Sequence, residues 1–373
     1  MRYKYLTIML AVLILLAHVS SSIAQTPEEA KEALKRMNIE FNNQAFIRAA
    51  KQANVKQLTL FLDAGMDPDS RDRSEGDTVL MLMAKKGKKS IVDKLLKKGA
   101  DVNLINTYRE TALMEATRIG HVGIMQLLLD NGADVNVVSG NDETALTMAA
   151  TTGNETSIRL LLDAGANVNF TSADGHTALQ NAAAKSFIPA VNMLIEKGAE
   201  LETKNKAGET ALHQAVMEGR TNMLHVLIKA GANVNTHNNY PAVPLFFVVH
   251  EHKNKLVDIL IKAGADVNEL DRNSETLLME SADTYNVEGA RLLILNGADV
   301  NLYKNDTTLM ILSRRPKDIK ARNDFIDLLL KNGADVTLKR RGKGKTAIEM
   351  AEDNGDLELV EKLKKYIEKE KVK

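Results

Sequence analysis

An all-α solenoid of about ten stacked helix pairs is the fold this sequence predicts, and three observations carry it. The phrase Gly-Ala-Asp-Val-Asn stands at Gly99, Gly132, Gly264 and Gly297, and returns as Gly-Ala-Asn-Val-Asn at Gly165 and Gly231, with looser copies at Gly65, Gly198 and Gly333. These glycines lie 34 residues apart from Gly65 to Gly99, 33 apart at every step to Gly297, and 36 apart to Gly333. A fixed period of this size marks stacked supersecondary units. Between the glycines two short apolar helical patterns recur, and each pair is too small to bury its own apolar face without a neighbour.

One unit shows the logic. Thr111-Ala112-Leu113 opens a helix predicted to run to about Ile119, Gly120-His121 breaks it, and Val122 to Asn131 forms a second helix around Leu127-Leu128-Leu129. Gly132 can enter the left-handed region that ends a helix without a steric penalty. Asp134 to Asn141 is polar and extended, a hairpin-like finger leading to the next opening at Thr144-Ala145-Leu146. Small residues at Ala116 and Ala149 let the first helices of adjacent units approach closely.

The pattern of Thr-Ala-Leu-x-x-Ala, a Gly-His or Gly-Asn break and a Leu-rich run into Gly-Ala-Asp-Val-Asn resembles the ankyrin repeat. That family's Thr-Pro-Leu-His-x-Ala signature has its nearest copy in Thr210-Ala211-Leu212-His213. The resemblance implies an ankyrin-repeat solenoid with finger hairpins between units. The units fall near residues 41–73, 74–106, 107–139, 140–172, 173–205, 206–238, 239–271, 272–302, 303–341 and 342–373. Three departures stand out. Val243-Pro244-Leu245 replaces the Thr opening, about five extra residues fall within 314–322, and the glycine between the helices is Ser186, His252 or Tyr285 in three units.

Residues 1–24 are a different material. Arg2 and Lys4 precede an apolar run from Leu6 to Ala17, and Ser22-Ile23-Ala24 fits the small-x-small rule for cleavage between Ala24 and Gln25. The run is short of the roughly 20 residues a membrane span needs, so the reading is a signal peptide, with an uncleaved anchor as its rival. An exported protein, periplasmic or secreted and of bacterial type, is the expectation. A glycan on Asn169, in the tight turn of a unit, would interfere with stacking, which disfavours a eukaryotic secretory route. Residues 25–40 contain an amphipathic helix with acids first and bases last, suited to cap the first unit. The polar last helix, with Glu358–Lys362 and Glu361–Lys365 spacings, suits the other end.

The chain has no cysteine, and 49 basic residues balance 49 acidic ones. Nothing in that balance points to nucleic acid. No enzyme, cofactor or metal is expected. Gly344-Lys345-Thr346 looks like the end of a phosphate loop, yet the glycine such a loop needs is Lys339. His250 and His252 stand two apart, where helical side chains diverge, not the four apart that share a zinc face. His121 and His213 occupy repeated positions of the architecture.

What remains is recognition of another protein. The family's partner surface is its concave face, formed by the fingers and the first helices. The resemblance places Tyr108, Phe170, Tyr240 and Tyr303 on fingers, Tyr285 at a turn closing a first helix, and Phe247 outward on one. With no Trp in the chain, these aromatics are the candidate anchors. A second candidate is the basic flank of Arg314, Arg315, Lys317, Lys320 and Arg322, followed by Lys339, Arg340, Arg341, Lys343 and Lys345. It would steer an acidic partner or an anionic envelope component. The roles left open are a scaffold or adaptor, a dedicated inhibitor or immunity-type protein for one enzyme or toxin, and a structural protein on an anionic surface. Methionines at helical spacing are expected in the core, with Met148 facing outward.

Overall fold

The 33-residue beat becomes one helix pair per period. The computed structural model describes residues 26–240, 242–314, 319–341 and 344–371; the leader, the Ala24–Gln25 junction, Arg315, Lys317 and Lys343 lie outside them. The chain forms two compact bodies, one ending at Phe170 and the other beginning at Thr171.

The N-terminal body starts with α1 (Pro27–Arg36). Four pairs follow: α2 (Asn43–Lys51) with α3 (Val55–Asp63), α4 (Val79–Lys85) with α5 (Lys89–Lys97), α6 (Ala112–Ile119) with α7 (Val122–Asp130), and α8 (Ala145–Thr152) with α9 (Glu155–Asp163). The C-terminal body begins with α10 (Ala178–Ala184) and α11 (Ile188–Glu196), then α12 (Ala211–Met217) and α13 (Thr221–Lys229), then α14 (Pro244–His250) and α15 (Asn254–Lys262). It continues with α16 (Leu277–Asp283) and α17 (Val287–Leu295), α18 (Thr308–Arg314) and α19 (Ile319–Lys331), and α20 (Ala347–Asp353) and α21 (Leu357–Glu370). Within each body, first helices stack on first helices and second on second.

The repeated threonine starts the first helices. The hydroxyls of Thr78, Thr111, Thr144, Thr177, Thr276 and Thr346 accept the amide three residues on. This satisfies a donor that the helix leaves without a partner. Where Val243 replaces threonine there is no side-chain cap, and Pro244 fills the first turn with a residue that has no amide to satisfy. The core is a leucine that recurs with the period: Leu95, Leu128 and Leu161 in one body, and Leu194, Leu227, Leu260, Leu293 and Leu329 in the other, all fully buried. Met148 is not outward. It is 5 % exposed, buried like its counterparts Leu82 and Glu115, because the small Ala116 and Ala149 draw α6 and α8 together over that face.

Helix α1 has a reciprocal cap between Thr26 and Glu29, and packs Ala30 and Leu34 onto α3. In α21 the expected Glu361–Lys365 pair forms at 2.6 Å, whereas Lys362 leaves Glu358 and reaches Asp327 on α19 at 2.7 Å. Part of the insertion extends a helix: α19 has 13 residues where α15 and α17 have nine. The fingers are turns, with isolated antiparallel bridges at Arg71–Thr78 and Leu270–Thr276 and no strand among the described residues. Side chains close them, as the site shows.

Candidate interaction groove

Six fingers among the described residues are each tied by one polar side chain. Asn106 accepts the amides of Tyr108 and Glu110, both at 2.9 Å, and Asn238 accepts those of Tyr240 at 2.9 Å and Ala242 at 3.2 Å. Asp72, Ser139, Asn205 and Asp271 do the same at their own fingers. Such turns present the residue two positions on at a fixed tip. Tyr108 and Tyr240 therefore stand out, 55 % and 67 % exposed, and the Arg272 guanidinium lies 5.6 Å from the Tyr240 ring centre. Phe170, Phe247, Tyr285 and Tyr303 are half-buried. Tyr285 adopts φ +57° at its turn.

In the N-terminal body a cavity of about 280 Å³ is lined by Asn43, Ile47, Lys51, Arg71, Asp72 and Arg73. Burial works to raise the Asp72 pKa, but Lys51 at 3.0 Å, the amides of Glu75 and Gly76 and the Ser74 hydroxyl outweigh it and bring it to about 2. Deeper in this body Glu115 is nearly inaccessible, and burial pushes its pKa up against the opposing pull of Arg118 and Lys85. Arg118 also pairs with Glu110.

The C-terminal body carries the larger groove. A cavity of about 450 Å³ is framed by α16, its turn and α18, with Met279, Ala282, Ile311 and Leu312 on the apolar side and Glu275, Asp283 and Asp306 among the polar lining. Tyr285, Arg314 and Arg340 line it too, so three sequence-predicted residues meet here. Both arginines converge on one carboxylate: Arg314 pairs with Asp306, and Arg340 Nε lies 3.4 Å from it. A second cavity of about 390 Å³ lies beyond them, against Lys345, Met350, Asp353 and Asn354.

The basic flank is thus less free than its sequence suggests. Besides Arg314 and Arg340, Arg322 is buried in α19 and paired with Asp356, and Lys345 pairs with Asp353. Among the described residues of the flank, exposed Lys320, Lys339 and Arg341 remain. His250 and His252 indeed point to different atoms, His250 Nδ1 to Glu280 at 2.6 Å and His252 Nε2 to the Thr284 carbonyl at 3.0 Å. Among the described residues no cluster of three His, Asp or Glu could hold a metal ion, and no helix is long and apolar enough to cross a membrane.

Glu275, Asp306 and Glu115 were missed from sequence. An acid inside the apolar opening Thr111-Ala112-Leu113-Met114-Glu115 was a readable signal; Glu275 and Asp306, on polar fingers, gave none.

Models of ankyrin repeats match the chain at residues 46–139, 134–205 and 245–372, and a related ankyrin-repeat model matches 183–228. No curated protein matches it. Among solved structures it is similar to the ankyrin repeat domain of Bcl-3, described as a unique member of the IkappaB protein family. Identity is 26 %, with a TM-score of 0.55, over 59 % of this chain and 100 % of that one. Ankyrin repeats are typically interaction modules without catalysis, which supports a protein partner. With matches over more than half its length and the helix pairs in place, the chain belongs to the ankyrin repeat family.

Proposed function

We propose that this protein is an exported, non-catalytic recognition module that holds a protein partner against its first helices and finger tips, as a scaffold or adaptor. The observation that carries the reading is the pair of aromatics at one repeat of the C-terminal body. Tyr240 projects from a tip fixed by Asn238, and Phe247 is half-exposed on the first helix that follows. Large aromatic side chains on a rigid frame supply contact area at low entropic cost. Export rests on the sequence of residues 1–24. The basic-flank reading, with an acidic partner or an anionic surface, rests among the described residues on Lys320, Lys339 and Arg341.

The test is a double replacement, Tyr240→Ala with Phe247→Ala, measured by calorimetry against a partner purified by crosslinking in the source cell. Affinity should fall at least tenfold with helical content unchanged. Equal affinity would remove the groove reading. A tight one-to-one complex that abolishes the partner's own activity would move the role from scaffold to inhibitor. N-terminal sequencing of protein from the source cell should begin at Gln25.

A further inference from the structure

The larger cavity of the C-terminal body has, among its described lining residues, the carboxylates Glu275 and Asp306 beside the guanidinium groups of Arg314 and Arg340. Both guanidinium groups are committed to Asp306. Glu275 is half-buried and pairs with no cation among the described residues; the nearby Lys304 places one of its three donors on the Ser274 hydroxyl at 2.8 Å and makes no ion pair with Glu275, and His250 pairs with Glu280. Burial raises the Glu275 pKa, and Asp271, Asp283, Glu280 and Asp306 each raise it further. A carboxylate left in that field is stabilised by a cation brought from outside.

The remaining walls suit the stem of such a cation. Met279, Ala282 and Leu312 close its floor from the core, and half-buried Ile311 and Tyr285 offer the accessible apolar surface. Long basic side chains bury their methylene stems on apolar surface while the charged head meets a carboxylate. A volume of about 450 Å³ exceeds what one Arg or Lys side chain fills, leaving room for the backbone that carries it.

We propose that this cavity receives an Arg or Lys side chain from a basic segment of the protein partner, with Glu275 as its counter-ion and Ile311 and Tyr285 against its stem. This rests on the reading of the chain as a protein-recognition module, and it gives that partner a chemistry. It also reverses, at this cavity, the sign that the basic flank suggests from sequence.

A random dodecapeptide display library, selected on the immobilised full chain and on three variants, tests it. On the unaltered chain the selected peptides should be at least threefold richer in Arg and Lys than the input. An enriched peptide should lose at least tenfold in affinity when its arginine becomes citrulline, which keeps the shape and removes the charge. Binding should weaken about fivefold on Glu275→Gln and vanish on Glu275→Lys, and circular dichroism of the isosteric Gln variant shows that the fold is intact. Peptides that depend on Tyr240 and Phe247, show no basic enrichment and ignore Glu275 would overturn the cavity proposal and leave the recognition reading standing. Selected peptides indifferent to all three positions would overturn both.

Discussion

Asn268 holds Gly297 from one period away: its Nδ2 donates to the Gly297 carbonyl at 3.1 Å, while its Oδ1 accepts the Asp299 amide at 2.8 Å. The arrangement recurs in the N-terminal body at Asn103 with Gly132 and Asp134, and at Asn136 with Gly165 and Asn167. In the C-terminal body it recurs at Asn235 with Gly264 and Asp266, and at Asn301 with Gly333 and Asp335. The last letter of the repeated phrase is therefore a two-handed clamp on the next copy. A primary amide carries its donor and its acceptor on separate atoms, so it can reach both groups at once.

Removing one clamp should be a graded loss. Asn268→Ala is expected to cost ~1 kcal/mol, the usual net value of such bonds in partly solvated positions. Asn268→Asp keeps the acceptor but sets a carboxylate oxygen against the Gly297 carbonyl, and should cost at least as much at neutral pH. Urea midpoints of the three proteins check this. An Asp variant as stable as Asn would mean that the donor bond to Gly297 contributes nothing.

Ala53 and Ser186 take left-handed backbone, φ +53° and +62°, where equivalent turns have Gly87, Gly120, Gly153 or Gly219. A Cβ in that region is strained by ~1–2 kcal/mol, while glycine gives back part of the gain through its freer unfolded chain. Ala53→Gly and Ser186→Gly should each stabilise the fold by ~0.5–1 kcal/mol. Gly120→Ala should go the other way, since a Cβ there would stand 2.8 Å from the Asn154 side chain. Thermal melts compare all three, and a destabilised Ala53→Gly would contradict the strain argument.

The beat of the fold was legible because each of its causes is local. A threonine cap, a leucine at a fixed phase and a glycine at the helix end are single residues with single tasks, and they repeat. The substitutes Ser186, His252 and Tyr285 were visible as departures, and the backbone keeps its left-handed turn at all three. The candidate groove was legible only in part. The tips of Tyr108 and Tyr240 follow from finger spacing, yet the meeting of Arg314 and Arg340 at Asp306 depends on three segments brought together by stacking. A count of bases along the chain does not show which are already paired. The insertion hid a helix extension for the same reason, since its charges suggested solvent.

His213 gives the C-terminal body an acid sensitivity. Its Nδ1 accepts the Thr210 amide at 3.2 Å, capping α12 as Gln180 caps α10 one period earlier. Burial holds the His213 pKa below its ordinary 6.5, so the unfolded chain takes up a proton at higher pH than the folded one. Its stabilising contribution is complete above about 6.5 and is lost as pH falls from there toward the folded value, at ~1.4 kcal/mol per pKa unit between the states. Protonation of Nδ1 would also break the cap. His213→Gln should keep the cap and flatten the fall in urea midpoint between pH 7.5 and 5. Parallel slopes for the two proteins would assign the sensitivity to other groups.

Arg322 is the base whose role its sequence context most disguised. It stands among charged residues of the insertion, yet it is 4 % exposed on α19 and bonds Asp356, whose other oxygen accepts the Leu359 amide at 3.0 Å at the start of α21. The pair ties the lengthened helix to the last one. Arg322→Ala leaves a half-buried carboxylate without its cation and should cost ~3 kcal/mol, while Arg322→Met, which refills the volume without restoring the charge, should recover part of that when Asp356 is changed to Asn in the same chain. A double-mutant cycle on urea unfolding measures the coupling. Coupling near zero would show that α19 and α21 are held by their other contacts, the Lys362–Asp327 pair and the Tyr366 bond to the Leu330 carbonyl among them, and that the Arg322 charge is an incidental passenger in the interface.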